Sequence, residues 1–108
     1  MQNLIRTILE LCDDLNDHVH KMATYGLEEA NAEHDYRIER MQQTLIEQEK
    51  GTPATLIKAI VDGKTADTRF KRDKARVFYK TSIEKINATK KQIDTYNDEV
   101  KREWNNNE

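Results

Sequence analysis

The sequence has few of the residues that break or cross-link a polypeptide chain: among 108 residues it contains one cysteine, one proline and three glycines. Because a single cysteine cannot form a disulfide within the chain, a disulfide-stapled fold is excluded. The scarcity of proline and glycine favours long helices over a sheet with many turns. We expect Cys12 to lie on a buried helix face, as free cysteines often do.

Long apolar runs are also missing from the sequence. Charged residues make up 35% of the chain and the mean hydropathy is -0.96. No segment approaches the ~18 apolar residues of a membrane span, and the N-terminal stretch turns acidic within one or two helical turns, unlike a secretory signal. We therefore expect a cytoplasmic protein, not bound to membranes, whose small core is completed by another copy or a partner.

The residue patterns that carry catalysis or metal binding are absent from the sequence as well. The histidines show no HExxH spacing, and "GTPATLIKAIVDGKT" lacks the glycine and lysine spacing of a phosphate-binding loop. No pair of carboxylates stands out as an acid and a base. The sequence predicts a protein that is not an enzyme, with no catalytic residue, no metal site and no cofactor.

Apolar residues recur at helical spacing through the first 49 residues. Steps of three and four residues join two sets: Leu4, Ile8, Leu11, Leu15, His18 and Met22, then Leu27, Ala30, His34, Ile38, Met41 and Leu45. Such spacing places one side of a helix against a packing partner. It predicts a helix over residues 3–49, unbroken or interrupted near Gly26, with both sets on its buried face.

The segment "KGTP" predicts the end of this helix and the start of the next. Gly51 suits a helix C-terminus, Thr52 suits an N-cap, and Pro53 suits a first helical position. A short helix is predicted over Pro53–Asp62, and Gly63 is expected to end it.

A second long helix is predicted to open at Thr65 or Ala66 and to run to residue 104. Its seam alternates steps of four and three residues: Tyr79, Ile83, Ile86, Lys90, Ile93, Asn97, Val100 and Trp104. Polar residues at core-type positions, here Lys90 and Asn97, commonly set register or oligomer state at some cost in stability. We interpret this seam as the pairing surface of an oligomer, with a dimer favoured.

Charge separates the two long helices. Residues 1–50 hold 5 basic and 11 acidic side chains, whereas residues 51–108 hold 13 and 9. Helices of opposite charge attract each other. The predicted fold is all-α, one domain over residues 1–108: a long antiparallel helical hairpin or coiled coil with a short intervening helix.

The most basic stretch, "TRFKRDKARVFYK", lies at the start of the second long helix. Five of its six cations are the candidate binding residues, and several of them share one helix side: Arg69, Lys71, Arg72, Arg76 and Lys80. One hypothesis pairs them with acidic residues of the first arm: Glu28, Glu29, Glu33, Asp35 and Glu39. Another assigns them to phosphate contacts with nucleic acid, and a third to an acidic protein surface. Phe70 and Val77, on another side, are expected to cover Leu56 and Ile60.

From Lys50 onward the chain resembles small helical proteins of unknown function encoded by phages and prophages of Gram-positive bacteria. The residues that carry the resemblance are "KGTPATLIKAIVDGKTADTRFKRDKARVFYKTSIEKINATKKQID" and the later "KREW". The resemblance implies a non-structural accessory role inside an infected or lysogenic bacterial cell.

Two functional hypotheses follow from the sequence. The first is a non-catalytic accessory protein that binds a host or phage protein as a coiled-coil oligomer. The second is a nucleic-acid-binding accessory of phage replication or recombination that uses the basic face of residues 69–80.

Overall fold

The computed structural model describes residues 2–106, and this part of the chain is helical with no strand. Three helices follow one another: α1 over Gln2–Glu49, α2 over Ala54–Lys64 and α3 over Ala66–Asn106. The predicted all-α hairpin with a short intervening helix is therefore confirmed. Gly26 does not interrupt α1, because one glycine within a long helix costs only about 1 kcal/mol and leaves the hydrogen-bond ladder intact.

The end of α1 follows from the conformation of one residue. Gly51 has φ +76°, a value that glycine adopts without steric cost. Its N–H donates to the carbonyl of Gln48, and the N–H of Thr52 donates to the carbonyl of Glu47, both at 3.1 Å. This pair of bonds is a Schellman motif. The predicted stop at Gly51 is confirmed.

The predictions for the start and end of α2 were wrong in detail. Pro53 occupies the cap position and α2 begins at Ala54. Thr52 does not cap it, because its hydroxyl donates instead to the buried Glu47 carboxylate at 2.7 Å. Gly63 does not end the helix, which continues through Lys64.

One residue, Thr65, separates α2 from α3. It is fully buried, with φ -103° and ψ 13°, and its hydroxyl donates to the carbonyl of Val61 at 2.7 Å. Val61 is itself 1% exposed. The predicted opening of the last helix at Thr65 or Ala66 is confirmed, since the chain turns at the first of these and α3 begins at the second.

The chain divides into two compact units, each containing a part of α1 and a part of α3. The first unit joins the residues up to Thr24 with those from Lys80 onward. Its α1 segment turns the predicted first set inward; the half-buried members are Leu4, Ile8, Leu11, Leu15, His18 and Met22. That half of the predicted face is confirmed. Cys12, in contrast, is exposed, so its predicted burial was wrong.

The α3 segment of the first unit buries a somewhat different set from the predicted seam. Ile86 is 6% exposed and lies at the core, as expected. Thr89 is buried and Tyr96 half-buried, whereas their predicted neighbours Lys90 and Asn97 are exposed. Steps of three and four residues lead from Ile86 through Thr89 to Tyr96, so these residues share the inward side of α3. Lys90 and Asn97 each lie one residue further along the helix and face solvent.

The second unit, Tyr25–Tyr79, contains the end of α1, all of α2 and the start of α3. We call it the 25–79 unit. Its expected apolar face on α1 was wrong: Leu27, Ile38, Met41 and Leu45 are 64%, 38%, 57% and 51% exposed. Ala30 and His34, the other members of that set, are exposed as well.

The aromatic and valine side chains at the start of α3 also point outward. Phe70 is 69% exposed and Val77 is 62% exposed. The expectation that they cover Leu56 and Ile60 was therefore wrong, and Leu56 is itself 52% exposed. Burial in this unit falls instead on Ala32, Glu47, Val61 and Thr65.

Candidate interaction surfaces of the 25–79 unit

The inward side of α1 in the 25–79 unit is polar. The side chains that lose most contact with solvent recur in steps of three and four: Tyr25, Glu29, Ala32, Tyr36, Arg40, Gln43 and Glu47. We call this row the polar seam. It continues the phase of the N-terminal row that includes His18 and Met22, because an unbroken helix keeps the same side toward its neighbour.

Two arginines of α3 neutralise Glu29 of the polar seam and Glu33, which lies beside the seam on α1. Arg76 Nε donates to Glu29 Oε1 at 3.0 Å. Arg72 Nε lies 3.5 Å and Arg76 Nη2 lies 3.6 Å from Glu33 Oε2. Glu33 Oε1 accepts a bond from Arg37 at 2.8 Å. These contacts are the pairing within the chain that the first hypothesis for the basic stretch describes.

The pKa of the Glu33 carboxyl lies below its ordinary value, chiefly because Arg37 donates a hydrogen bond to it and also because Arg72 and Arg76 are close. Burial opposes this shift, since it disfavours the charged form. Glu33 Oε2 is buried and has no hydrogen-bond partner within residues 2–106. The two guanidinium groups near that oxygen are therefore its compensation for lost hydration.

A second acidic anchor joins α1 to α2. The Glu47 carboxylate, whose side chain is 5% exposed, accepts from Lys64 Nζ and from Thr52 Oγ1, each at 2.7 Å. These two donors lower the pKa of Glu47. A buried carboxylate with two donors stabilises one arrangement of the chain around it, because removing either donor leaves charge uncompensated.

The third anchor is Asp62 on α2. Arg40 Nη1 donates to Asp62 Oδ1 at 2.6 Å, and Lys58 Nζ donates to Oδ2 at 3.3 Å. The pKa of Asp62 is lowered by Arg40 first and by Lys58 second, and the pKa of Arg40 is raised in return. Glu33, Glu47 and Asp62 are thus the three acidic anchors of the unit, and each is paired with basic side chains.

The apolar side chains of α1 lie on the side opposite to the polar seam. At about 100° per residue, Leu27, Ile38, Met41 and Leu45 share one narrow side of the helix. We call these four residues the α1 stripe. Isolated exposed apolar residues are ordinary on protein surfaces, but a row of them on one helix side is typical of a docking surface.

A groove of about 510 Å³ runs between α1 and α3 within the 25–79 unit. Ala32 and Ala75 line it, and their short side chains leave its floor open. The rings of Tyr25 and Phe78 are stacked beside it, with centroids 5.7 Å apart and planes 21° from parallel. Phe78 remains 45% exposed.

The two rims of this groove carry opposite charges. Glu28 and Asp35 lie on the α1 rim, and Lys71 and Lys74 lie on the α3 rim. All four residues are exposed to solvent. Within the part of the chain that the structure describes, none of the four has an ion-pair partner within 4.0 Å.

The structure separates the predicted basic face into two groups. Arg72 and Arg76, with side chains 18% and 41% exposed, are held in the ion pairs described above. Lys71 and Lys80 are exposed, and Arg69 is half-buried. Sequence reasoning missed Lys74, whose place on the groove rim depends on α1.

The predicted oligomer seam is divided between the hairpin interior and the surface. Its inward members, buried or half-buried in the single chain, are Tyr79, Ile83, Ile86, Ile93 and Val100. Trp104 is 61% exposed, and Lys90 and Asn97 are exposed too. Only these last three remain open to a second chain, and whether they pair with one stays a prediction.

The polar seam could have been found from helix phase. The predicted apolar row steps by five residues from Met22 to Leu27, which moves it to another side of the helix. Keeping steps of three and four leads instead to Tyr25 and Glu29. The apolar residues of the α1 stripe obscured this signal.

No helix in residues 2–106 is long and apolar enough to cross a membrane. The same residues contain no cluster of three His, Cys, Asp or Glu side chains that could hold a metal ion. The chain matches no protein-family model, no curated protein and no solved structure.

Proposed function

We propose that this chain is a non-catalytic interaction protein that acts as an oligomer and docks a helical segment of a protein partner on the α1 stripe. The observation that carries the proposal is the reversed polarity of α1 in the 25–79 unit. Ion-paired residues face the interior while Ile38, Met41 and Leu45 face solvent. A partner helix with an apolar side would cover this row by helix-to-helix packing.

The partner in this proposal is a host or phage protein in the bacterial cytoplasm, the setting that the resemblance implies. Its docking segment would be apolar on one side and carry basic residues beside that side. Glu49, one helical turn after Leu45, is exposed beside the α1 stripe and would face those cations. Complementary charges at the edge of an interface increase the association rate and exclude wrong partners.

The test is affinity capture with the wild-type chain, a stripe variant and a matched control. The stripe variant is Met41→Gln with Leu45→Gln. The control, Ile5→Gln with Leu9→Gln, makes the same chemical change on α1 at positions that are 45% and 61% exposed. We expect wild type and control to bind one protein that the stripe variant loses, with the same loss in a titration of the purified pair.

Folding must be equal for this comparison to be meaningful. Substitutions of exposed residues usually change the free energy of unfolding by no more than about 0.5 kcal/mol, so all three proteins should unfold alike. If the stripe variant captures the same proteins as wild type with unchanged affinity, the α1 stripe is not the docking surface and the proposal fails.

A second candidate function is nucleic-acid binding, and the groove supplies the observation in its favour. Lys71 and Lys74 are exposed beside the stacked rings of Tyr25 and Phe78, and cations next to aromatic faces suit single-stranded nucleic acid. The ion pairs of Arg72 and Arg76 count against it, because paired guanidinium groups are less free to contact phosphates.

Fluorescence anisotropy with short DNA and RNA at several salt concentrations decides this second candidate. Binding should weaken steeply with salt and be lost in Lys71→Glu with Lys74→Glu. The variant Arg72→Glu with Arg76→Glu should mainly lower stability, since it places like charges against Glu29 and Glu33. No binding at low salt would rule out the candidate.

A further inference from the structure

The groove of the 25–79 unit has a charge pattern that suits a second copy of the same chain. One rim is acidic, with Glu28 and Asp35, and the other is basic, with Lys71 and Lys74. A flat surface with two parallel stripes of opposite sign can match itself when one copy is turned relative to the other. Which turn is required depends on how the helices run.

The contacts inside the unit show that α1 and α3 run antiparallel and give their register. Gly26 lies beside Tyr79, and Glu29 pairs with Arg76. Glu33 then pairs with Arg72, so each step toward the C-terminus of α1 is a step toward the N-terminus of α3. By this register Asp35 lies level with Lys71, and Glu28 lies within about one turn of Lys74.

Two symmetric arrangements can place one groove on another. With the two-fold axis parallel to the helices, α1 of each copy lies on α3 of the other, and acidic rims meet basic rims at the same level. With the axis across the helices, α1 lies on α1, and Asp35 of one copy faces the acidic rim of the other. Like charges held together oppose association, so charge selects the first arrangement.

We infer that two copies associate groove to groove about a two-fold axis parallel to the helices. Each acidic α1 rim then lies on the basic α3 rim of the other copy, and the paired 25–79 units form a four-helix bundle. Neighbouring helices in this bundle are antiparallel, the arrangement common in such bundles. The inference rests on the oligomeric role in the proposed function and names its partner as a second copy.

The exposed ring of Phe78 and the open floor at Ala32 and Ala75 agree with this arrangement. Aromatic side chains bury large areas and dominate the energetics of interfaces, and Phe78 would be covered at the centre of the bundle. The alanines let the two helix pairs approach closely. The α1 stripe at Met41 and Leu45 points away from the groove, so it stays open to another protein.

Charge reversal of one rim at a time tests the inference. The variant Glu28→Lys with Asp35→Lys has two basic rims, and the variant Lys71→Glu with Lys74→Glu has two acidic rims. By sedimentation velocity in the micromolar range, wild type should be a dimer. Each variant alone should dimerise at least tenfold more weakly. An equimolar mixture should form a heterodimer, because every basic rim then meets an acidic one.

The variant with all four substitutions has a basic α1 rim and an acidic α3 rim, so the two rims are again of opposite charge. It should therefore dimerise like wild type. Glu84→Lys with Asp94→Lys is the matched control: it adds the same charge at exposed positions of α3 outside the groove and should not alter the mass. All four groove residues are exposed and without ion pairs within residues 2–106, so helicity measured by circular dichroism should be unchanged.

Several results would overturn the inference. A monomeric wild type would do so, as would single-rim variants that dimerise normally or a mixture that does not recover. The stripe variant separates this inference from the docking proposal. It should keep the wild-type mass while losing the protein partner. If the groove dimer is refuted, the capture experiment still tests docking on the α1 stripe independently.

Discussion

The guanidinium group of Arg72 lies over the ring of Tyr36, with Cζ 4.4 Å from the ring centroid. The same group donates to Asp73 from Nε and Nη2 and lies 3.5 Å from Glu33. Its pKa is raised, first by Asp73. The central arginine of the basic stretch is thus fully engaged within its own chain.

Removing Arg72 should destabilise the protein by about 1–3 kcal/mol, because Glu33 loses a counter-charge and Tyr36 loses its cation. Urea unfolding of Arg72→Ala measures this cost. A double-mutant cycle with Tyr36→Leu should give a coupling of about 0.5–2 kcal/mol. Lys80→Ala, which truncates an exposed cation of the same stretch, should change stability by less than about 0.5 kcal/mol. Equal costs at both positions would refute the prediction.

Two helical glycines should respond differently to alanine. A Cβ at Gly63 would meet nothing within 4 Å, so Gly63→Ala should stabilise the chain by up to about 1 kcal/mol through helix propensity. A Cβ at Gly26 would lie 3.0 Å from Tyr79 Cε2, so the same change there should gain less or lose stability. Thermal unfolding measures both. If Tyr79→Leu does not make Gly26→Ala more favourable, the ring is not the cause.

The third glycine should resist substitution for a different reason. Gly51 has φ +76° but open space around its Cα, so the cost of Gly51→Ala is conformational and should be about 1–2 kcal/mol. Gly51→Asn should cost less, since asparagine tolerates this region better than alanine. Unfolding in urea would contradict the prediction if both variants were as stable as wild type.

Stability should fall in acid because of the acidic anchors. The folded chain lowers the pKa values of Glu33, Glu47 and Asp62. A lowered folded pKa stabilises the fold above the ordinary pKa of about 4, and this contribution is lost as the pH falls through the folded value. The free energy of unfolding should therefore decrease as the pH falls below about 5, and the loss should continue below the ordinary carboxyl pKa.

The variant Glu33→Gln with Glu47→Gln tests the source of this acid sensitivity. It should be less stable than wild type at neutral pH but lose less stability on acidification. Glu10→Gln with Glu84→Gln removes two exposed carboxylates with the same change of charge and should keep the wild-type pH profile. A profile of equal slope in both variants would mean that the anchors are not responsible.

Much of the secondary structure could be predicted from local sequence. Gly51 and Pro53 mark the break after α1, and Thr65 marks the break before α3, because these effects depend on one residue and its neighbours. The inward row from Leu4 to Met22 was also predictable, since apolar spacing and helix phase agree there.

The surfaces of the 25–79 unit could not be predicted in the same way. A row such as Ile38, Met41 and Leu45 marks one side of a helix but does not say whether that side meets this chain or another. The side that faces inward instead carries the half-buried Glu29 and Glu33, and it is stable only because Arg72 and Arg76 approach from more than 30 residues away. The sequence pattern suggested this pairing as one of three alternatives but could not choose among them.

The sequence by itself determined that this chain forms two long helices with a short one between them, and that the first ends at Gly51, because helix propensity and glycine conformation act over a few residues. Only the tertiary structure decided that α1 buries Glu47, half-buries Glu33 and exposes Met41 and Leu45. The reason is energetic: burying a carboxylate is unfavourable unless cations meet it, and those cations come from distant parts of the chain.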